Sequence, residues 1–245
     1  MDNLLRQHLP AAFSRGRGNV FTPTEYTNIK SSDPSTVGLF WPQNNRPIIL
    51  PKFKDRDTWF ARLSERDRTW LNAAFYSAKI KSALLGKKLD YQSFLDRKYN
   101  EYLGFRVHSG AHERWHNLHR YKRPYGARLE WSYPNDAVRL GVDEVLADNM
   151  GRMTARKVLP DNIWNDASRP INKNTDWYQQ QNIKKYLRGS KADRALEDLL
   201  KTIHPVTGLP MDLSTNVRYQ ITKQLERNKM QRIKDWVYRS LGFSQ

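Results

Sequence analysis

Cysteine is absent from this chain of 245 residues. The absence excludes disulfide bonds, thiolate zinc sites and cysteine nucleophiles. The chain also lacks any apolar run close to the ~18 residues that a membrane-spanning helix needs. We therefore expect no transmembrane segment. Two common enzyme signatures are missing as well, the G-x-x-x-x-G-K-[ST] phosphate loop and the G-x-S-x-G nucleophile turn.

Acidic residues are scarce relative to basic ones. The 25 Asp and Glu are outnumbered by 42 Lys and Arg, which gives a formal net charge of +17. A folded protein with this surplus repels itself, so the excess positive charge is expected to face a polyanion. Nucleic acid, anionic lipid and the acidic surface of a protein polymer are all candidates for that partner.

Apolar residues are also few, at 38% of the sequence, and the mean hydropathy is −0.83. Both values are low for a free-standing globule, so part of the chain is expected to be ordered only by a partner. Eight Trp, twelve Tyr and nine Phe are nevertheless too many for a disordered tail. The composition predicts a mainly α protein: a small helical body with long extended, Pro-rich arms and at most a short strand or hairpin.

Residues 1–57 hold much of the Pro and Gly of the chain and show little periodicity. Each X-Pro step disfavours helix at the residue before the proline. We predict that this segment is an extended basic arm that crosses the surface of a partner. Phe40 and Trp41 are predicted to be its interface anchors.

No acidic residue lies between Asn3 and Thr24, whereas basic and apolar residues alternate there. An amphipathic, acid-poor and Arg-containing start is typical of a mitochondrial transit segment. We predict an uncleaved targeting segment at 1–20. The alternative is a basic arm that inserts into RNA through Arg15 and Arg17.

Helical periodicity begins at Ser64, which can cap a helix that ends at Gly86. The region 58–150 is predicted to be helical and to carry a basic strip. The region 151–245 is predicted to be an irregular linker, to about residue 175, followed by helices. The predicted helices are 64–86, 90–104, one around Val138–Leu146, 177–187, 190–203 and a long cationic amphipathic helix that starts at Ser214, and a short strand is predicted at 127–133.

The pentapeptide His112–His116 matches the pattern H-E-x-x-H and resembles the motif of zincin metalloproteases. That resemblance implies that His112 and His116 bind zinc and that Glu113 activates water. Cations flank the motif closely in the sequence and oppose metal binding. No third ligand is evident, since Glu130 and Glu144 are only generic candidates. We therefore predict no metal and no catalytic residues, and keep the zinc site as an alternative.

Acidic pairs on the predicted helices are a further candidate for chemistry. Asp143 is followed by Glu144, and Glu197 by Asp198. Consecutive helical residues do not face each other. We predict that these carboxylates are solvated.

The segment 106–128 interleaves cations with aromatic side chains, and so favours a polyanion-binding strip. Guanidinium and ammonium groups neutralise phosphates, and flat side chains stack on unpaired bases. Trp164, in the predicted irregular region, is predicted to be an interface residue. The residues predicted to bind nucleic acid or another polyanion are Arg15, Arg17, Arg106, Arg114, His119, Arg120, Tyr121, Lys122, Arg123, Tyr125 and Arg128.

These features together predict a non-catalytic structural subunit of a large assembly. The leading hypothesis is a mitochondrial ribosomal protein that binds ribosomal RNA and neighbouring protein subunits without a cofactor, in the matrix or at the matrix face of the inner membrane. One alternative is an accessory subunit of a respiratory complex or ATP synthase, with peripheral contact to anionic lipid. Another is a structural protein of the cytoplasm or cilium that lines microtubules. The last is the zinc metallohydrolase.

Overall fold

The computed structural model describes residues 53–120, 133 and 135–241, with side chains as far as His116 in the first range, and the backbone of three short strands before them. The described part is mainly α, as predicted. Its helices are α1 (Arg56–Ala61), α2 (Glu65–Leu84), α3 (Tyr91–Arg120), α4 (Asp136–Val158), α5 (Asp161–Tyr186), α6 (Asp193–Leu200) and α7 (Thr215–Ser240).

The three strands lie within the predicted amino-terminal arm. They are β1 (Asn19–Val20), β2 (Gly38–Trp41) and β3 (Arg46–Ile49). β2 and β3 pair antiparallel, and β1 pairs in parallel with the other edge of β3, which is the central strand. Residues 53–57 of the predicted arm are also described and lead into α1. Residues 1–18 of the predicted targeting segment, and the other parts of the arm, lie outside the described residues.

Serine caps start the two helices whose beginnings the sequence marks best. The Ser64 hydroxyl accepts a hydrogen bond from the Asp67 amide at 3.1 Å, and the Ser214 hydroxyl accepts one from the Val217 amide at 3.2 Å. Each bond satisfies an amide that the first turn of a helix leaves without a partner. The predicted starts of α2 and α7 are therefore confirmed.

Aromatic side chains form a small cluster where α1, α2 and the start of α3 meet. The rings of Phe75 and Phe94 pack edge to face with centroids 5.4 Å apart, and Trp59 packs against Tyr102 at 5.8 Å. Such pairs add to the free energy gained from burying their area. We call this group the aromatic cluster: Trp59, Leu71, Phe75, Phe94 and Leu95.

A larger core joins the second half of α3 to α4, α5, α6 and α7. α3, α4 and α5 each pack against the other two, and α7 packs on α5 and α6. Val107, Val142 and Ile171 are fully buried among them. The 30-residue helix α3 thus belongs to both the aromatic cluster and the main core.

The predicted helix end at Gly104 is wrong, because α3 continues through this residue to Arg120. Gly104 faces α5 instead. A Cβ atom at this position would lie 2.3 Å from Cβ of Ala167 and 3.0 Å from Cδ1 of Ile171. The glycine therefore serves the close approach of two helices, not the termination of one.

The substitution Gly104→Ala tests this role. Alanine favours a helix over glycine by about 1 kcal/mol, but here its methyl group would overlap Ala167. Overpacking of this kind costs about 1–3 kcal/mol, so we expect a net loss of stability in urea unfolding. The double variant Gly104→Ala, Ala167→Gly should recover part of that loss. An increase in stability for Gly104→Ala alone would contradict the packing.

The predicted irregular linker at 151–175 is also wrong. α4 runs to Val158, and α5 begins at Asp161 and continues through Pro170. The helical periodicity is hidden because α5 buries polar side chains on its inner face. For example, the Gln179 amide donates a hydrogen bond to the Val145 carbonyl at 3.1 Å. The helix predicted to begin at 177 is the end of α5.

Tyr133 is the described end of the strand predicted at 127–133. Its ring is buried, and its hydroxyl donates a hydrogen bond to Asp198 at 2.8 Å. Asp198 is itself buried and also pairs with Lys201. The prediction that this carboxylate is solvated is therefore wrong, although Glu197 beside it is exposed. The other residues of the predicted strand lie outside the described residues.

None of the helices in the described ranges combines the length and the apolar character that crossing a bilayer requires.

Candidate metal centre

Two helices bring histidine and carboxylate side chains together in the main core. On α3, residues four positions apart share a face, so His108, His112 and His116 form one row. Glu144 and Asp148 form a similar row on α4. α3 and α4 approach closely beside this row. A Cβ atom at Gly151 of α4 would lie only 2.8 Å from the His108 carbonyl oxygen of α3.

Three ligand atoms converge between the rows. The Nε2 atoms of His112 and His116 are 3.0 Å apart, and each lies 3.5 Å from Oε2 of Glu144. These three separations leave a point about 2.1 Å from all three atoms, and zinc bonds to imidazole nitrogen and carboxylate oxygen have this length. The trio is therefore a candidate metal site with three protein ligands.

Outer carboxylates orient both rings. Nδ1 of His112 lies 3.0 Å from Oδ1 of Asp148, and Nδ1 of His116 lies 2.7 Å from Oδ2 of Asp143. Asp143 is held in turn by the Trp115 indole, which donates to Oδ1 at 3.1 Å. Carboxylates that accept from Nδ1–H leave the Nε2 lone pair of a neutral ring free to bind a metal.

This arrangement requires a positive charge at its centre. With Nδ1–H bonds to carboxylates, the two Nε2 lone pairs would face each other at 3.0 Å and also face an anionic Glu144. A proton or a metal ion removes the repulsion. The buried Asp143 and Asp148 add further negative charge, and burial of carboxylates is costly without compensation.

The pKa values follow from this crowding. Burial lowers the pKa of His112, but hydrogen bonds to Asp148 and Glu144 outweigh burial and raise it well above its ordinary value. Burial likewise opposes the charged form of His116, yet Asp143 and Glu144 raise its pKa to about 9. Burial alone would raise the pKa of Glu144, but the two histidines bring it well below its usual range. The cluster therefore stabilises positive charge, on its own imidazole rings or on an ion that replaces their protons.

His108 does not belong to the ligand set. Burial, with the positive charges of His112 and Arg152, lowers the pKa of His108 to about 3, so the ring is neutral. Its Nε2 lies 3.0 Å from the Thr175 hydroxyl and 3.9 Å from Asp148. His108 is thus a buried neutral residue that joins α3 to Thr175 of α5.

Tyr178 of α5 lies at the edge of the site. Its hydroxyl donates a hydrogen bond to Oε2 of Glu144 at 3.3 Å, and its ring packs edge-on against His112 with centroids 6.2 Å apart. Burial, together with the charges of Glu144 and Asp148, raises the pKa of the Tyr178 hydroxyl. The ring remains 36% exposed, so this side of the site is nearest to solvent.

The sequence predicts no metal and keeps a zinc site at His112 and His116 as the alternative. The structure brings these two histidines together with a third possible ligand. His112 and His116 contribute two of the converging atoms, and Glu113 between them is buried. The third atom comes from Glu144, for which the prediction of a solvated carboxylate is wrong. Asp143, predicted to be solvated too, orients His116.

Two residues of the predicted polyanion-binding strip lie away from the surface. Arg106 is only 2% exposed, so its side chain offers little surface to a polyanion. Arg114 is half-buried. Both arginines are buried or half-buried because they lie on α3, which packs against other helices.

The other predicted site residues are mostly not tested. Trp164 is half-buried on α5 and packs against the main core, and Phe40 and Trp41 lie in β2, where only the backbone is described. Outside the described side chains are Arg15, Arg17, His119, Arg120, Tyr121, Lys122, Arg123, Tyr125 and Arg128.

Comparisons with models of protein families, with curated proteins and with solved structures find no match for this chain.

Proposed function

We propose that the protein is a metal-dependent hydrolase that binds Zn²⁺ through His112, His116 and Glu144. The observation that carries the proposal is the convergence of two Nε2 atoms and one carboxylate oxygen within 3.0–3.5 Å of one another. Two carboxylates behind the histidines support it, because such outer partners are typical of metal-binding imidazoles.

Zinc is the metal that the donor set favours. Two imidazoles and one carboxylate form a ligand set that catalytic zinc sites use, whereas Mg²⁺ and Ca²⁺ prefer oxygen donors alone. Redox-active divalent metals also accept these donors. Cysteine, the usual mark of structural zinc sites, is absent from the chain.

Three protein ligands favour a catalytic site over a structural one. Structural zinc sites use four protein ligands, whereas catalytic sites keep one position for water or substrate. The side chains of His112 and Glu144 are 12% and 16% exposed, so the ligand set reaches the edge of the core. A zinc ion held here supplies Lewis acidity for attack of water on a carbonyl or phosphoryl group.

Glu113 is the candidate general base. The resemblance to the zincin motif assigns water activation to the glutamate that follows the first histidine. Glu113 is buried within a turn of both histidines of α3. Its carboxylate would accept the proton that the attacking water loses.

The proposal is tested on the purified full chain expressed with zinc. Elemental analysis should find one equivalent of zinc, and fluorescein-labelled casein should be hydrolysed. Glu113→Gln should keep the zinc but lose at least about 100-fold in rate, because general-base catalysis contributes factors of this size. The matched control Glu197→Gln changes an exposed glutamate on α6 and should retain both properties. A fully active Glu113→Gln variant, or a chain without zinc, would overturn the proposal.

A second candidate is the non-catalytic subunit that contacts ribosomal RNA or another polyanion. The observation that favours it is the net charge of +17. In that case the metal has a structural role and the casein assay shows no activity. Glu113→Gln would then change nothing.

A further inference from the structure

The last helix, α7, divides into a packed half and a projecting half. Its buried side chains include Val217, Ile221 and Asn228, and none of its side chains past Asn228 is buried. Arg232 forms an ion pair with Asp193 of α6 just beyond this point. The remaining two and a half turns extend past the body of the described structure.

The projecting half carries an apolar stripe. The predicted amphipathic helix begins with apolar side chains inside the core, but its later apolar side chains are exposed. Trp236, Leu241 and Met230 are 69%, 65% and 54% exposed. Steps of three and four residues place such side chains on one helical face. We define the α7 stripe as Met230, Ile233, Trp236, Val237 and Leu241.

Cations flank the α7 stripe. Arg227, Lys229, Lys234 and Arg239 are all exposed, in addition to the paired Arg232. Asp235 is the one acid between residues 227 and 241. Lysine and arginine at the border of an apolar face can lay their stems along it while their charges reach outward.

We propose that the projecting half of α7 docks on an anionic membrane surface and lies in the plane of the interface. A face with aliphatic side chains and Trp, bordered by Lys and Arg, is the composition of interfacial helices. The apolar residues enter the acyl boundary, and the cations pair with acidic headgroups. This inference is independent of the metal centre.

Charge complementarity favours lipid over two other occupants. A nucleic acid would pair with the cations but would leave the aliphatic side chains without a partner. A second copy of the helix would cover the apolar stripe, but it would bring two strongly positive segments together. An anionic bilayer satisfies both the apolar and the charged parts of the surface.

The test is co-sedimentation of the full chain with vesicles. Vesicles of phosphatidylcholine with about 30% phosphatidylglycerol should bind the chain, pure phosphatidylcholine vesicles much less, and added salt should weaken binding. The double variant Ile233→Ser, Val237→Ser keeps every charge and should bind at least about tenfold more weakly. Ile203→Ser, which changes an exposed isoleucine outside α7, is the matched control and should bind normally.

Three outcomes would overturn the proposal. Equal binding of the double variant would mean that the net charge alone adsorbs the chain. A dimer in sedimentation velocity that the double variant loses would assign the stripe to a second copy. Binding to RNA, but not to vesicles, that the double variant loses would assign it to nucleic acid.

Discussion

Replacing Glu144 with glutamine is expected to weaken zinc binding by at least about hundredfold. The amide keeps the shape of the side chain but removes the charge and the strong oxygen donor that completes the ligand set. Loss of an outer partner alone costs metal sites about 10–100-fold, so loss of a direct ligand costs more. Competition with a chromogenic chelator measures the affinity. His116→Ala should have an effect at least as large.

Two further variants make this result specific. Glu197→Gln, at an exposed position of α6, should bind zinc like the unmodified chain. Asp148→Asn leaves all three ligands in place but alters the partner of His112, and should weaken binding by about 10–100-fold. Unchanged affinity in Glu144→Gln would exclude Glu144 as a ligand.

Removal of zinc is expected to destabilise the whole fold. A ligand that binds only the native state at a thousand times its dissociation constant adds about 4 kcal/mol. For a chain of this size each kcal/mol shifts the melting temperature by about 2–4 °C. Calorimetry with excess zinc and with EDTA should therefore differ by roughly 10 °C. The physical source is linkage: the ion binds the ligand atoms of the folded chain, which the unfolded chain does not bring together.

The Glu144→Gln variant is the control for this experiment. It lacks a ligand and binds zinc at least about hundredfold more weakly, so at the same zinc concentration its melting temperature should shift by at most about a third as much. Equal zinc responses in the variant and the unmodified chain would place the stabilising ion elsewhere.

The sequence predicted those parts of the fold that local chemistry determines. Ser64 and Ser214 cap helices because a hydroxyl at that place satisfies a free amide, and both starts are confirmed. The helix end predicted at Gly104 is wrong because a glycine in a helical pattern can mark either the end of a helix or a close contact between two helices. Only the position of Ala167 decides between the two. The inner face of α5 was missed because its buried Thr175 and Gln179 are polar.

The candidate site was half visible in the sequence. The H-E-x-x-H pattern identifies His112 and His116, but the cations nearby in the sequence oppose metal binding if they also lie nearby in space. Among the described residues, the groups that contact the two imidazole rings include three carboxylates of α4, Asp143, Glu144 and Asp148. A clue was available in Glu144 and Asp148, two carboxylates at the spacing that puts them on one helical face. That this face of α4 packs against the histidines of α3 depends on the tertiary structure and is not visible in the sequence.

The uninterrupted course of α3 has a mechanical consequence. The aromatic cluster is attached near one end of this rod, and the two histidines are on its second half, so both ends move as one body. At 1.5 Å per residue the rod is about 45 Å long. A small tilt at the aromatic end would displace the histidines relative to Glu144, which belongs to another helix. The alignment of the three ligand atoms thus depends on side chains such as Trp59 that never approach them.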